Sequence, residues 1–292
     1  MRPYLLRIFV TALLFSLPFI TNSIPKNVPP SQSVWFVASQ SDKGLLYLDP
    51  LAKNDVGHLV SVPEACNPND PQYKKFVAEN FGEGQSYNIF FRGSFVGTAV
   101  FNQDKEQQES NLVADSGKRT LIPAGLSGLA STEAPRSRAD RSRAVTPSEE
   151  VVAMRIAKES FKNAGVPNSL LPKITVDKLE RTYLLPSRLP SLIGSFSIDI
   201  SEQEGLIHSL FLIATKRGSK YHADFVWSKI SRGETDNGKM QLVDHADIFG
   251  DGQDEVVVDI WYYENYSYRV YRREKNGSKW EQIFETGILG CE

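Results

Sequence analysis

Between residue 195 and the C-terminus, short segments of β-branched and aromatic residues follow one another, each bounded by turn residues. No other feature of the chain constrains its fold as strongly. Phe196, Ile198 and Ile200 alternate with polar neighbours, as do Tyr221, Phe225 and Trp227 with His222, Asp224 and Ser228. A period of two marks half-buried strands. Residues 206–215 form a longer apolar run that suits a central strand. Residues 255–263 and 267–273 face each other across a tight turn, and Asn276-Gly277 is a strong hairpin signal leading into residues 280–284.

One strong helix signal precedes these strands. Thr146-Pro147-Ser148-Glu149 has the form of a capping box with proline at the first helical position. Val152, Ile156, Ala157, Phe161 and Ala164 then fall on one face, and Gly165 and Pro167 end the helix. Such a face has to be buried. The expectation for residues 146–292 is an α+β domain, an antiparallel meander packed on one amphipathic helix.

Residues 33–103 read as a smaller β-rich region, with strands at 34–37 and 45–48 and a short helix at 72–81. A hairpin joins 87–91 to 95–101 through Arg92-Gly93-Ser94. Residues 104–145 lose every apolar period and read as a flexible linker.

The N-terminus carries a leader pattern. Arg2 and Arg7 precede an uncharged apolar run over residues 8–20, and Thr21-Asn22-Ser23 supplies small residues for cleavage. Residues 1–23 are therefore expected to be a signal peptide and 24–32 a Pro-rich, disordered lead-in, with no membrane span left after cleavage. The expected location is secreted or periplasmic. In an oxidising compartment the two cysteines, Cys66 and Cys291, most simply pair as a disulfide. A net charge of −2 argues against a nucleic-acid partner, which needs a basic footprint.

One segment carries recognisable chemistry. Residues 247–255 read DIFGDGQDE, ahead of three valines. Carboxylates spaced through a tight glycine-containing loop can converge on a hard cation. The segment resembles the calcium loop of FG-GAP and VCBS-type repeats. That resemblance implies Asp247, Asp251 and Glu255 as side-chain ligands of Ca2+ and the Gln253 carbonyl as a main-chain ligand. Phe249 departs from the pattern, standing where a third oxygen is expected. The segment occurs once, so the propeller of those families does not carry over. Read from its residues alone, the loop is either this cation site or an acidic turn held by Asx-type hydrogen bonds.

The dense aromatic cluster near residues 261–271 suggests a binding face formed by Trp261, Tyr263 and Tyr271. A carbohydrate, a peptide or a cell-envelope component is the expected ligand class. No catalytic residue can be assigned: no zinc helix, nucleophile elbow or P-loop occurs. Two His–Asp spacings are present, His222 with Asp224 and His245 with Asp247. The expected function is thus an exported, non-catalytic binding or structural protein. Its rival is a secreted hydrolase built on carboxylates or on a His–Asp pair.

Overall fold

A computed structural model of the chain describes residues 32–63, 69–101, 112–117, 119–133, 143–187, 189–201, 206–231, 238–262, 265–275, 277–287 and 289. The expected signal peptide, the proposed disulfide partners Cys66 and Cys291, Tyr263 and Asn276 lie outside the described residues.

The N-terminal body is a closed barrel. Its strands are β1 (Ser33–Gln40), β2 (Leu45–Asp55), β4 (Ser86–Phe91), β5 (Ser94–Phe101), β6 (Leu112–Asp115) and β7 (Ser127–Ser131), with β3 (His58–Val60) added beside β2. They run in the order β1-β7-β4-β5-β6-β2, and antiparallel pairing of β2 with β1 closes the ring. Alternate residues point inward. Phe36, Leu48, Tyr87, Ile89, Phe101 and Ala130 therefore fill the interior, while Trp35, Val37 and Leu129 face outward. Helix α1 (Pro71–Asn80) starts where Asp70 Oδ1 accepts the Gln72 amide at 2.6 Å. Phe76 of α1 and Phe81 just beyond it pack onto the interior cluster.

Two strands of this barrel fall inside the segment expected to be a linker. β6 and β7 are short and are buried along most of their length, at Leu112-Val113-Ala114 and Gly128-Leu129-Ala130. Strands this brief and buried on both sides show no alternation, so their period was invisible in the sequence.

The remainder is not a single sheet on one helix, and that expectation is corrected. The chain is mostly β, with fifteen strands and two α-helices among the described residues. The C-terminal strands form two four-stranded antiparallel sheets. The first is β11 (Lys220–Ser231), β10 (Leu206–Arg217), β9 (Ser191–Ser201) and β8 (Thr175–Thr182). The second is β12 (Lys239–Ala246), β13 (Glu255–Trp261), β14 (Tyr266–Arg273) and β15 (Trp280–Glu285).

Helix α2 (Pro147–Asn163) covers one face of the first sheet. Its capping box is formed, and Ile156, Ala157 and Phe161 pack with Leu210 and Leu212 of β10. Glu149 ties the helix start to the sheet, its Oε1 accepting from Arg181 Nε at 2.8 Å and from the Tyr221 hydroxyl at 2.7 Å. The other face of β10, through Phe211 and Ile213, packs on Val256, Val258 and Ile260 of β13. Val257, between those valines, points the opposite way and packs with Trp35, Val37 and Leu129 on the outside of the barrel. Helix, sheet, sheet and barrel are thus stacked as successive layers. None of the described helices is long and apolar enough to cross a membrane.

The β4–β5 turn reaches from the barrel to the second sheet. Gly93 has φ +71°, and a Cβ placed there would lie 2.0 Å from His245 Cε1. Its N–H donates to Asp244 Oδ1 at 2.9 Å. The side chain of Gly93→Ala would meet both the left-handed backbone penalty and a collision with a packed ring. A loss of about 3 kcal/mol is expected, measured as a lower denaturation midpoint with an unchanged m-value.

Candidate functional site

The segment between β12 and β13 is bordered by buried ionisable groups, Asp244 and His245 before it and Asp254 and Glu255 at its end. Gly250 (φ +71°) and Gly252 (φ +102°) allow the chain to reverse. Asp247 accepts the Asp251 amide at 3.0 Å on Oδ1 and the Gly252 amide at 3.1 Å on Oδ2. Asp251 Oδ1 accepts the Gln253 amide at 3.2 Å, and Glu255 Oε2 accepts the Ile248 amide at 2.8 Å. The Gln253 side chain donates to the Arg273 carbonyl at 2.7 Å.

The positive charge facing this loop belongs to the protein. Arg272 of β14 pairs with Asp251 Oδ2, and its Nε lies 3.5 Å from Glu255 Oε1. The guanidinium sits over the Phe249 ring, 4.5 Å from its centroid. Phe249 stands where the calcium-loop pattern has an oxygen, and here it supports the arginine. Among the described residues no group of three or more His, Cys, Asp or Glu side chains is arranged to hold a metal ion. Burial pushes the Glu255 carboxyl well above the ordinary range, with Arg272 opposing and Asp247 adding to the rise.

Beside the loop, three layers meet at an ionic junction. His245 is fully buried, with Nδ1 2.9 Å from Asp254 Oδ2. Asp244 Oδ1 accepts from both the His245 amide, at 2.7 Å, and the Gly93 amide. The edge strand β8 contributes Lys178 and Glu180, 3.6 Å apart, and the barrel contributes Arg92, 3.7 Å from Glu180. Lys178 Nζ also donates to the Leu242 carbonyl at 3.0 Å. Asp244, Glu180 and Asp254 are thereby set against Lys178, Arg92 and the His245 imidazole. His245 Nε2, Asp244 Oδ2 and Glu180 Oε2 have no hydrogen-bond partner among the described residues.

The other His–Asp spacing does not form a pair of this kind. A bulge lies between Ala223 and Phe225, and Asp224 turns to Arg217 at 2.5 Å while His222 is exposed. His245 likewise partners Asp254 rather than Asp247.

The expected aromatic face is divided. Tyr271 is buried between the two sheets, with its ring 4.8 Å from that of Phe225. Trp261 lies on the opposite face of its sheet and is 51% exposed. Its Nε1 donates to Asp259 Oδ2 at 2.7 Å, and its ring lies 5.3 Å from that of Tyr266. Asp49 of the barrel accepts from the Tyr266 and Tyr268 hydroxyls, at 3.1 and 3.0 Å.

Sequence reasoning located the loop but missed Arg272, Lys178, Glu180 and Arg92. They come from other strands, and only pairing and layer packing bring them near. No protein-family model, curated protein or solved structure matches this chain.

The junction has a calculable pH signature. Burial pushes Asp244 up to about 6 from 3.8. Burial alone would depress His245, but the Asp254 hydrogen bond and the surrounding carboxylates raise it above 6.5. Both groups hold protons more tightly in the folded than in the unfolded chain, so stability falls as pH rises. The Asp244 contribution is present below 3.8 and is lost by about 6. That of His245 is complete below 6.5 and is lost as pH passes its raised folded value. Melting temperature should therefore decline from mildly acidic to mildly basic pH. Asp244→Asn should flatten the acidic part of that slope and His245→Gln the upper part. Slopes unchanged in both variants would refute the assignment.

Proposed function

We propose that this chain is a non-catalytic binding protein that works outside the cytoplasm. The observation that carries the reading is Trp261, a half-exposed indole held in one orientation by Asp259 and Tyr266. A large aromatic surface kept rigid and open to solvent gives contact area at low ordering cost. The leader-like residues 1–23 support export.

The rival hydrolase reading loses support from the burial of its best candidates. His245, Asp254 and Asp244 are almost completely enclosed, and their partners are one another, Gly93 and neighbouring structural groups. A general base has to come within hydrogen-bond reach of its substrate. The acidic loop, with its charge answered by Arg272, supports a turn that stands without a divalent ion.

Two measurements test the reading. Purified protein should not turn over chromogenic esters, phosphates or glycosides, and turnover abolished by Asp254→Asn would replace the binding reading with the hydrolase. Millimolar calcium should leave the melting temperature unchanged, since a ligand that binds only the native state raises it. A calcium-dependent rise that Asp251→Ala removes would reinstate the loop as a cation site.

A further inference from the structure

We propose that the open end of the second C-terminal sheet binds a neutral saccharide chain, with Trp261 as its stacking platform. This rests on the binding-protein reading and adds the ligand class.

Strand register assembles the face. Lys239 of β12 lies opposite Trp261, Gln241 lies opposite Asp259, and across β14 Tyr266 and Tyr268 lie opposite Trp261 and Asp259. Directly paired residues share one face of a sheet. Three adjacent strands therefore present an indole and a phenol ring beside a carboxylate, a carboxamide and an ammonium. At a strand spacing near 4.8 Å the patch is roughly 10 Å wide, which matches about two pyranose rings.

The chemistry of these groups selects the ligand. The axial C–H groups of a pyranose form a flat, weakly positive surface that suits the electron-rich face of an indole. Its hydroxyls need donors and acceptors beside that face, and the partly exposed Gln241 carboxamide is placed to supply them. Asp259 uses one oxygen to fix the indole and its other oxygen is buried, so its part at this face is to hold the ring.

Charge excludes the acidic sugars. Lys239 is committed to Asp177 at 3.1 Å, while Asp259 and Asp49 line the face and its rim. A uronic acid would meet two carboxylates there. The barrel explains why this end is open. It covers Val257 on the same face, two residue pairs along the strand, and stops short of Trp261.

The test is titration of the full-length protein with cellotetraose, N-acetylchitotetraose and tetragalacturonate, read by tryptophan fluorescence and calorimetry. At least one neutral tetrasaccharide should bind, with tetragalacturonate about tenfold weaker or worse. Trp261→Ala should weaken binding about tenfold at unchanged melting temperature, and Trp261→Phe should retain part of it. Gln241→Ala should weaken it severalfold, while Val226→Ser, at an exposed apolar position on β11, should not. Binding that survives Trp261→Ala, or equal binding of tetragalacturonate, overturns the assignment. No binding by either neutral tetrasaccharide also overturns it. If a protease-sensitive cell-envelope extract then still shields Trp261 from iodide quenching, the saccharide falls and the binding reading stands. Cleavage of a tetrasaccharide, lost in Asp259→Asn, would instead remove the non-catalytic reading and keep the saccharide.

Discussion

The structure depends on a sheet that is buried on both faces. In β13, Val256 and Val258 pack towards the first C-terminal sheet and Val257 packs towards the barrel. Successive residues of a strand point to opposite sides, so three consecutive valines pack against both bodies at once. Full burial of each valine contributes about 1.5–3 kcal/mol. Removing either covering layer would expose one face of the sheet to water. The barrel and the sheet that carries α2 are therefore connected through β12–β15, and the register of β13 fixes how both are oriented.

Some charged groups of this sheet meet partners from neighbouring layers. The junction around His245 illustrates this. Three carboxylates and three potential cations converge from β8, β12, the β12–β13 loop and the barrel turn. Attraction between desolvated charges often only balances the cost of burying them. What such a cluster supplies is a single permitted arrangement. The Gly93 amide can bond Asp244 only when the bare glycine lies against the His245 ring. Arg272 plays a related role at the loop, where a cation tethered to β14 faces Asp251 and Glu255.

Local signals in the sequence were legible, and long-range ones were not. The α2 capping box, the helix at residues 71–80 and the hairpin turning at Arg92-Gly93 are each encoded within a few residues. Barrel closure needs β1 to pair with both β2 and β7, about ninety residues further on in the latter case, as in Val37 opposite Leu129. No local pattern reports that pairing. Continuous runs such as Leu210-Phe211-Leu212-Ile213 conceal which residue faces the helix and which the second sheet. The site was partly legible for the same reason. Composition located the acidic loop and the aromatic cluster. The separation of Tyr271 from Trp261 follows from Val256 pairing with Tyr271, and that register has to be seen before the faces can be assigned.

Register also accounts for what the second sheet leaves uncovered. Along β13, Val257, Asp259 and Trp261 share one face at intervals of about 6.8 Å. Val257 is fully buried under the barrel, Asp259 is partly covered, and Trp261 is half exposed. The strand runs further than the layer above it, and its residue types change where the cover ends. An uncovered strand end needs only polar residues to stay soluble, and a large indole there works against that need. The Nε1 bond to Asp259 and the packing on Tyr266 hold the ring in place. The contact surface proposed for this sheet rests on that held, half-exposed ring.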